Sequence, residues 1–481
     1  MQLTKYLRPL AGIIALGSLI DACSKSSSSN PPTPPPPANT APIALSAGNI
    51  SDTSFTARWQ SVTGATGYHL YVATDTGFSS PLTGYNPKSI SDTFFTIFNL
   101  SPATNYYYKV TADKSGTTSG PSSSIAAPTF SATADAFLII GDMNDTIYCL
   151  NAADGSIKWR VPTLSGVNST ATFANGQAYI GGLDENLYSL NAYTGAVNWT
   201  FRTGLSGQIL PTPTVVNNLV YFGSSDDEMY ALNASTGSQV WATTITPVST
   251  EFFSSPTVVN GIVYVARFDD SLYALNATNG AEVWSAAIGP HNLQFTEFSG
   301  PAVSNGVVYV GGGDHNLHAY DATTGSAKWT SPIGEPTLSS PTIVNGTVYI
   351  GSGDSSLYAF DANTGTKLWS TATGGNVDAS PAVVNGIVYA ASQDSKVYAF
   401  DATTGSVKWS TATGGFIQSS PTVSNGVVYI GSNDGAVYAL DALTGKTKWR
   451  TATNGKIDLS SPCVMTFNGT VIHPGISGDV Q

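Results

Sequence analysis

Seven aspartates recur at one place in a long repeat. Asp184, Asp226, Asp269, Asp314, Asp354, Asp394 and Asp434 each lie fifteen residues before a tryptophan. A ring of carboxylates could bind cations, and His315 and His318 beside Asp314 are residue types of a metal centre. Two features oppose that chemistry. Equivalent copies in successive repeats indicate one structural device, because Asp in a tight turn accepts hydrogen bonds from local backbone amides. His318 also takes a position that is Tyr in the other repeats, and no third ligand accompanies it. No metal and no catalytic set is therefore expected. Cys23, Cys149 and Cys463 are too few and too widely spaced for a disulfide framework or a zinc site.

Irregular positions are better candidates for recognition. The two longest segments between repeats contain Phe252 and Phe253, then His291, Phe295 and Phe298. Nearby turns add Arg267, Phe268 and His315. Aromatic side chains on loops with a polar rim are the composition of a recognition surface. The alternative is that these Phe side chains fold inward and fill the wider loops.

The elements that position these residues follow from the repeat. Trp159, Trp199, Trp241, Trp284, Trp329, Trp369, Trp409 and Trp449 are spaced 40 to 45 residues apart, a period of stacked or radial repeats. Four residues before each is Gly, and eleven before is Tyr in all but one repeat. Asn-Gly pairs such as Asn260-Gly261, Asn345-Gly346 and Asn425-Gly426 separate β-branched runs, a strong hairpin signal. Each repeat thus reads as four strands, A to D, with Trp on D and Asp in the B–C turn. Four strands per forty-odd residues make a propeller blade. The composition agrees: only 10% of residues are charged, with 48 Gly and 27 Pro. The formal charge of −12 makes nucleic acid a poor partner.

The segment Ala439-Leu440-Asp441-Ala442-Leu443-Thr444-Gly445-Lys446-Thr447-Lys448-Trp449 resembles the tryptophan-docking motif of pyrroloquinoline-quinone (PQQ)-type propellers. That resemblance implies an all-β, eight-bladed ring over residues 129–481, with the eight tryptophans docking blade to blade. Ser460-Ser461-Pro462-Cys463-Val464-Met465 reads as another strand A with no following Trp, so the C-terminal strand is expected to complete the first blade. Cys149 and Cys463 would then lie two strand spacings apart in that blade, too far for a disulfide. Quinoprotein dehydrogenases of this fold use adjacent cysteines and long ligand-bearing insertions; this chain has no adjacent cysteines and almost no insertions. PQQ and Ca²⁺ are thus not expected.

Before the repeats, residues 42–128 show alternating strands, and Leu100-Ser101-Pro102-Ala103-Thr104-Asn105-Tyr106 resembles the tyrosine corner of a fibronectin type III domain. Trp59 is its expected core tryptophan and Tyr106 its corner residue. Residues 1–22 hold Lys5 and Arg8, an apolar run and Ala22 before Cys23. That run is too short to span a bilayer, so the segment reads as an export signal. Ile20-Asp21-Ala22-Cys23 resembles a lipobox, which implies lipidation of Cys23; plain secretion is the alternative. Residues 23–41 are a Ser- and Pro-rich tether.

The whole resembles the propeller lipoproteins of the outer-membrane β-barrel assembly machinery. It implies a non-catalytic outer-membrane lipoprotein, periplasmic or surface-exposed, that docks envelope proteins on its propeller face and meets the membrane only through its lipid. A carbohydrate-binding surface lipoprotein is the alternative, and a PQQ-dependent dehydrogenase the third reading.

Overall fold

A computed structural model of the chain describes residues 40–45, 47, 54–102, 104–114, 116–129, 136–174, 176–204, 206–244, 254–289, 299–465 and 471–472. Among them every regular element is a β-strand. The architecture is all-β: a fibronectin-like sandwich, then eight four-stranded antiparallel sheets, one of them extended by a fifth strand.

In the sandwich, Phe55–Arg58 pairs with Phe94–Ile97, while Gly67–Ala73 joins Lys88–Ile90 and Asn105–Lys114 in the second sheet. Alternation of side chains sends Phe55, Leu70, Val72, Tyr108 and Val110 into one core. Trp59 is buried there against Tyr68, with ring centroids 5.6 Å apart. The Tyr106 hydroxyl accepts the Ser101 N–H at 3.0 Å, closing the corner loop.

Each blade is a meander whose turns follow from the sequence. In blade 8 the strands are Thr422–Ser424, Val427–Ser432, Ala436–Asp441 and Thr447–Ala452. Asn425 and Gly426 both have positive φ, at 50° and 71°, as a two-residue type I′ hairpin requires. Blade 3 makes the same turn with Asn217 and Asn218. A register shift between Ala439 and Leu440 recurs at the equivalent point of all eight C–D pairs; such a bulge re-aims the side chain that follows it.

The C-terminal strand completes the first blade. Cys463–Met465 pairs antiparallel with Phe137–Asp142, Cys463 opposite Ile139 and Val464 opposite Leu138. Val471–Ile472 adds a fifth strand inside it, which the repeat pattern did not foreshadow. Cys149 is also opposite Ile139, so the two cysteines flank one residue across the sheet. Neither forms a disulfide, and both are buried. Burial pushes the Cys149 thiol up to about 12, Lys158 opposing it weakly, and pushes Cys463 in the same direction. Iodoacetamide at about pH 8 should therefore leave both unmodified in the folded chain and alkylate both after denaturation, as read by mass spectrometry.

Candidate functional site

The tryptophans lock neighbouring blades. Each indole N–H donates to the carbonyl of an Ala in the next blade, Trp159 to Ala192 at 3.1 Å and Trp409 to Ala442 at 3.0 Å, and Trp449 closes the ring onto Ala152 of blade 1 at 3.0 Å. The repeated glycine serves this contact. At Gly445, φ is +71° and an added Cβ would come within 2.5 Å of the Trp409 ring, so both backbone conformation and stacking exclude a side chain. In seven blades a strand B tyrosine, such as Tyr389, donates to the same carbonyl as the tryptophan. Blade 1 has Ile139 there.

The repeated aspartates clip loops. Asp434 accepts the Tyr438 hydroxyl at 2.6 Å and the Gly414 N–H at 3.2 Å, tying its B–C turn to the D–A loop that enters the same blade. Asp394 does the same with Tyr398 at 2.5 Å and Gly374 at 3.1 Å. In blade 5, His318 replaces the tyrosine, and its Nε2 lies 2.9 Å from Asp314 Oδ1. In blade 1, where Asn144 occupies the repeat position, Asp142 supplies the carboxylate. It accepts Tyr148 at 3.1 Å and the Gly455 N–H at 2.9 Å. The two-residue offset hid this aspartate from a fixed-spacing search.

Burial alone would raise the carboxyls of Asp314, Asp394 and Asp434, but hydrogen bonds outweigh it and hold all three below the ordinary value. The donors are His318, Tyr398 and Tyr438 with Arg450, respectively. A carboxyl with a depressed folded-state value stabilises the fold above its unfolded value of 3.8 and loses that contribution as pH falls through the folded value. The thermal midpoint should thus be level near neutrality and fall on acidification below about pH 4. Tyr398→Phe removes one donor from Asp394 and should cost about 1–2 kcal/mol at neutral pH, read by denaturant titration.

The surface positions separate on inspection. Arg267 does not belong to an exposed patch: its side chain is 0% exposed and lies 3.2 Å from Asp269 and 4.0 Å from Asp227 of the preceding blade. It ends strand B at the place of Ser224, Ser352, Ser392 and Ser432, a buried position in each, and paired carboxylates sustain its charge there. Phe268 in the adjoining turn is half-buried. His315 is partly exposed in the next B–C turn, its Nδ1 2.9 Å from the Gly334 carbonyl and 3.5 Å from Glu335. Phe252, Phe253, His291, Phe295, Phe298 and Cys23, the expected lipid acceptor, lie outside the described residues.

Among the described residues no three His, Cys, Asp or Glu side chains converge on a cation-sized site. The turn carboxylates are engaged by tyrosines and backbone amides, and Cys149 and Cys463 are buried within a blade.

Ring, docking tryptophans and clipped loops define a PQQ-type β-propeller. The family described as outer membrane protein assembly factor BamB matches residues 109–268, 203–296, 269–380 and 354–480, and the chain belongs to it. The fibronectin type III domain family matches residues 40–127. Among solved structures, BamB from Moraxella catarrhalis is similar at 19% identity and a TM-score of 0.54, covering 63% of this chain and 95% of that one. The computationally designed Ika8 protein is similar at 17% identity and TM-score 0.55, covering 63% and 92%. A europium-containing methanol dehydrogenase is similar at 14% identity and TM-score 0.51, covering 63% and 80%. These likenesses show the fold, which is shared with an enzyme as well as with BamB. No curated protein matches the sequence.

Proposed function

We propose that the chain is a non-catalytic scaffold of the bacterial cell envelope, tethered by lipid on Cys23, whose propeller docks protein components of outer-membrane protein assembly. The observation that carries this reading is the family match over residues 109–480, which takes in the propeller. The site chemistry supports it: the repeated carboxylates and indoles are engaged in holding loops and blades together. The B–C turns and the described D–A loops are clipped together by these carboxylates, a suitable platform for partners.

Crosslinking in intact envelopes followed by affinity purification tests the reading. Recovery of an outer-membrane barrel-assembly component is expected. PQQ- and Ca²⁺-dependent dye-linked alcohol oxidation by the purified chain would contradict it. Cys23→Ser should release the chain from the membrane fraction if the anchor is as proposed.

A further inference from the structure

The loops that lead into the inner strands differ around the ring in a way neither blade docking nor loop clipping requires. Among the described residues, five of these loops carry a buried aliphatic residue, Ile209 among them, where the loop into blade 6 has Thr337. Val377 is flanked by Asn376 and Asp378, Ile417 by Phe416 and Gln418, Ile457 by Lys456 and Asp458, and Val167 by Gly166 and Asn168. The position nearer strand A is therefore polar in four consecutive blades: Asp378, Gln418, Asp458 and Asn168. On the other side it is apolar, with Leu210 and Leu338.

This position lies near the axis. Two to three residues further on, backbone N–H groups donate to hydroxyls of the next blade in an unbroken chain: Ser340 to Ser380, Ser380 to Ser420, Ser420 to Ser461 and Ser461 to Thr170, at 2.8 to 2.9 Å. The polar arc thus stands over a rim of hydroxyls that crosses the same blades.

Amides from the B–C turns enter the arc. Gln393 donates its Nε2 to Asp378, and Asn433 donates Nδ2 to Asp458 Oδ1 at 3.3 Å. Lys456 Nζ lies 3.2 Å from Asp458, which opposes a metal cation there. Burial pushes the Asp378 carboxyl up despite its bond from Gln393. Beside these groups Phe416 is 43% exposed. Asn168 is only 9% exposed, yet its Oδ1 has no hydrogen-bond partner, and neither has the buried Oδ1 of Asn433. Unpartnered buried amide oxygens are costly unless a further group satisfies them.

We propose that the axial mouth between blades 7, 8, 1 and 2 is a binding site for a neutral saccharide. Planar carboxylate and amide groups can each engage two neighbouring sugar hydroxyls. Phe416 offers an apolar face for the C–H face of a pyranose ring. Carboxylates oppose phosphorylated ligands.

Isothermal titration of the full chain with cellohexaose, chitohexaose and mannohexaose tests the site. At least one should bind with single-site stoichiometry, and Phe416→Ala and Gln418→Ala should each weaken it about tenfold. Both variants should keep the parent melting temperature, since Phe416 is exposed and Gln418 makes no blade-docking contact. Absence of binding by all three sugars at millimolar concentration overturns the proposal, as does binding that survives both substitutions. Either result leaves protein docking untouched, because the crosslinking assay reads a different ligand.

Discussion

A chain ending at Leu459 should lose cooperative folding. Strand B of blade 1, Phe137–Asp142, would then present an open edge where Cys463–Met465 now pairs. Burial of Val464 and Met465 in the two cores beside that blade contributes about 1.5–3 kcal/mol each. Removal of the strand also deletes Ser460 Oγ, which accepts the Gly141 N–H at 2.9 Å and donates to the Ser169 carbonyl at 2.9 Å. The Ser461 N–H bond to Thr170 is lost with it. Together these terms approach the net stability of an ordinary domain, about 5–15 kcal/mol. An unpaired strand in an otherwise closed ring also invites association. Size-exclusion chromatography and urea titration should show aggregation or a non-cooperative transition; a monomer with the parent midpoint would show that the ring does not depend on this closure.

The second large effect is positional. Trp409→Ala should destabilise by about 3–5 kcal/mol, the range for deleting a large packed aromatic. The indole covers Gly445 and lies 6.0 Å from the Tyr389 ring, so its loss leaves a cavity between blades. The Ala442 carbonyl nonetheless keeps a donor, because Tyr389 bonds it at 3.1 Å. Trp159→Ala has no such reserve: Ile139 stands where other blades carry the tyrosine, and the Ala192 carbonyl loses the indole N–H. Trp159→Ala should therefore cost about 1–3 kcal/mol more than Trp409→Ala. Trp→Phe at each site isolates the hydrogen bond from the cavity, and equal losses at the two sites in denaturant titration would refute the shared-acceptor explanation.

What could be read from the residues, and what could not, divides along physical lines. Blade number, turn positions and docking residues were legible because each is repeated: a positive-φ glycine or an Asn-Gly hairpin has few sequence solutions, so copies stay in register. Closure by Cys463–Met465 was legible because Ser460-Ser461-Pro462 repeats the start of an inner strand. Features that occur once were not. Asp142 replaces the usual carboxylate from two residues upstream, where the backbone still lets it reach Tyr148. Arg267 reads as a turn residue, yet it closes strand B and points between blades, because the strand runs one residue further than the charge suggests. The polar arc at the axis was missed for a related reason: Asp378, Gln418, Asp458 and Asn168 sit in loops of nearly ordinary length, and their grouping appears only when the ring closes.

The B–C and D–A face of the propeller is the surface proposed to dock a protein of outer-membrane assembly. Photocrosslinkers placed singly at Phe268 and His315 on that face, and at Thr323 and Leu443 in C–D turns of the opposite face, test it in intact envelopes. Adducts are expected between the first pair and an outer-membrane barrel-assembly component, with none above background from the second pair. Equal adducts from both faces, or none from Phe268 and His315, would contradict it.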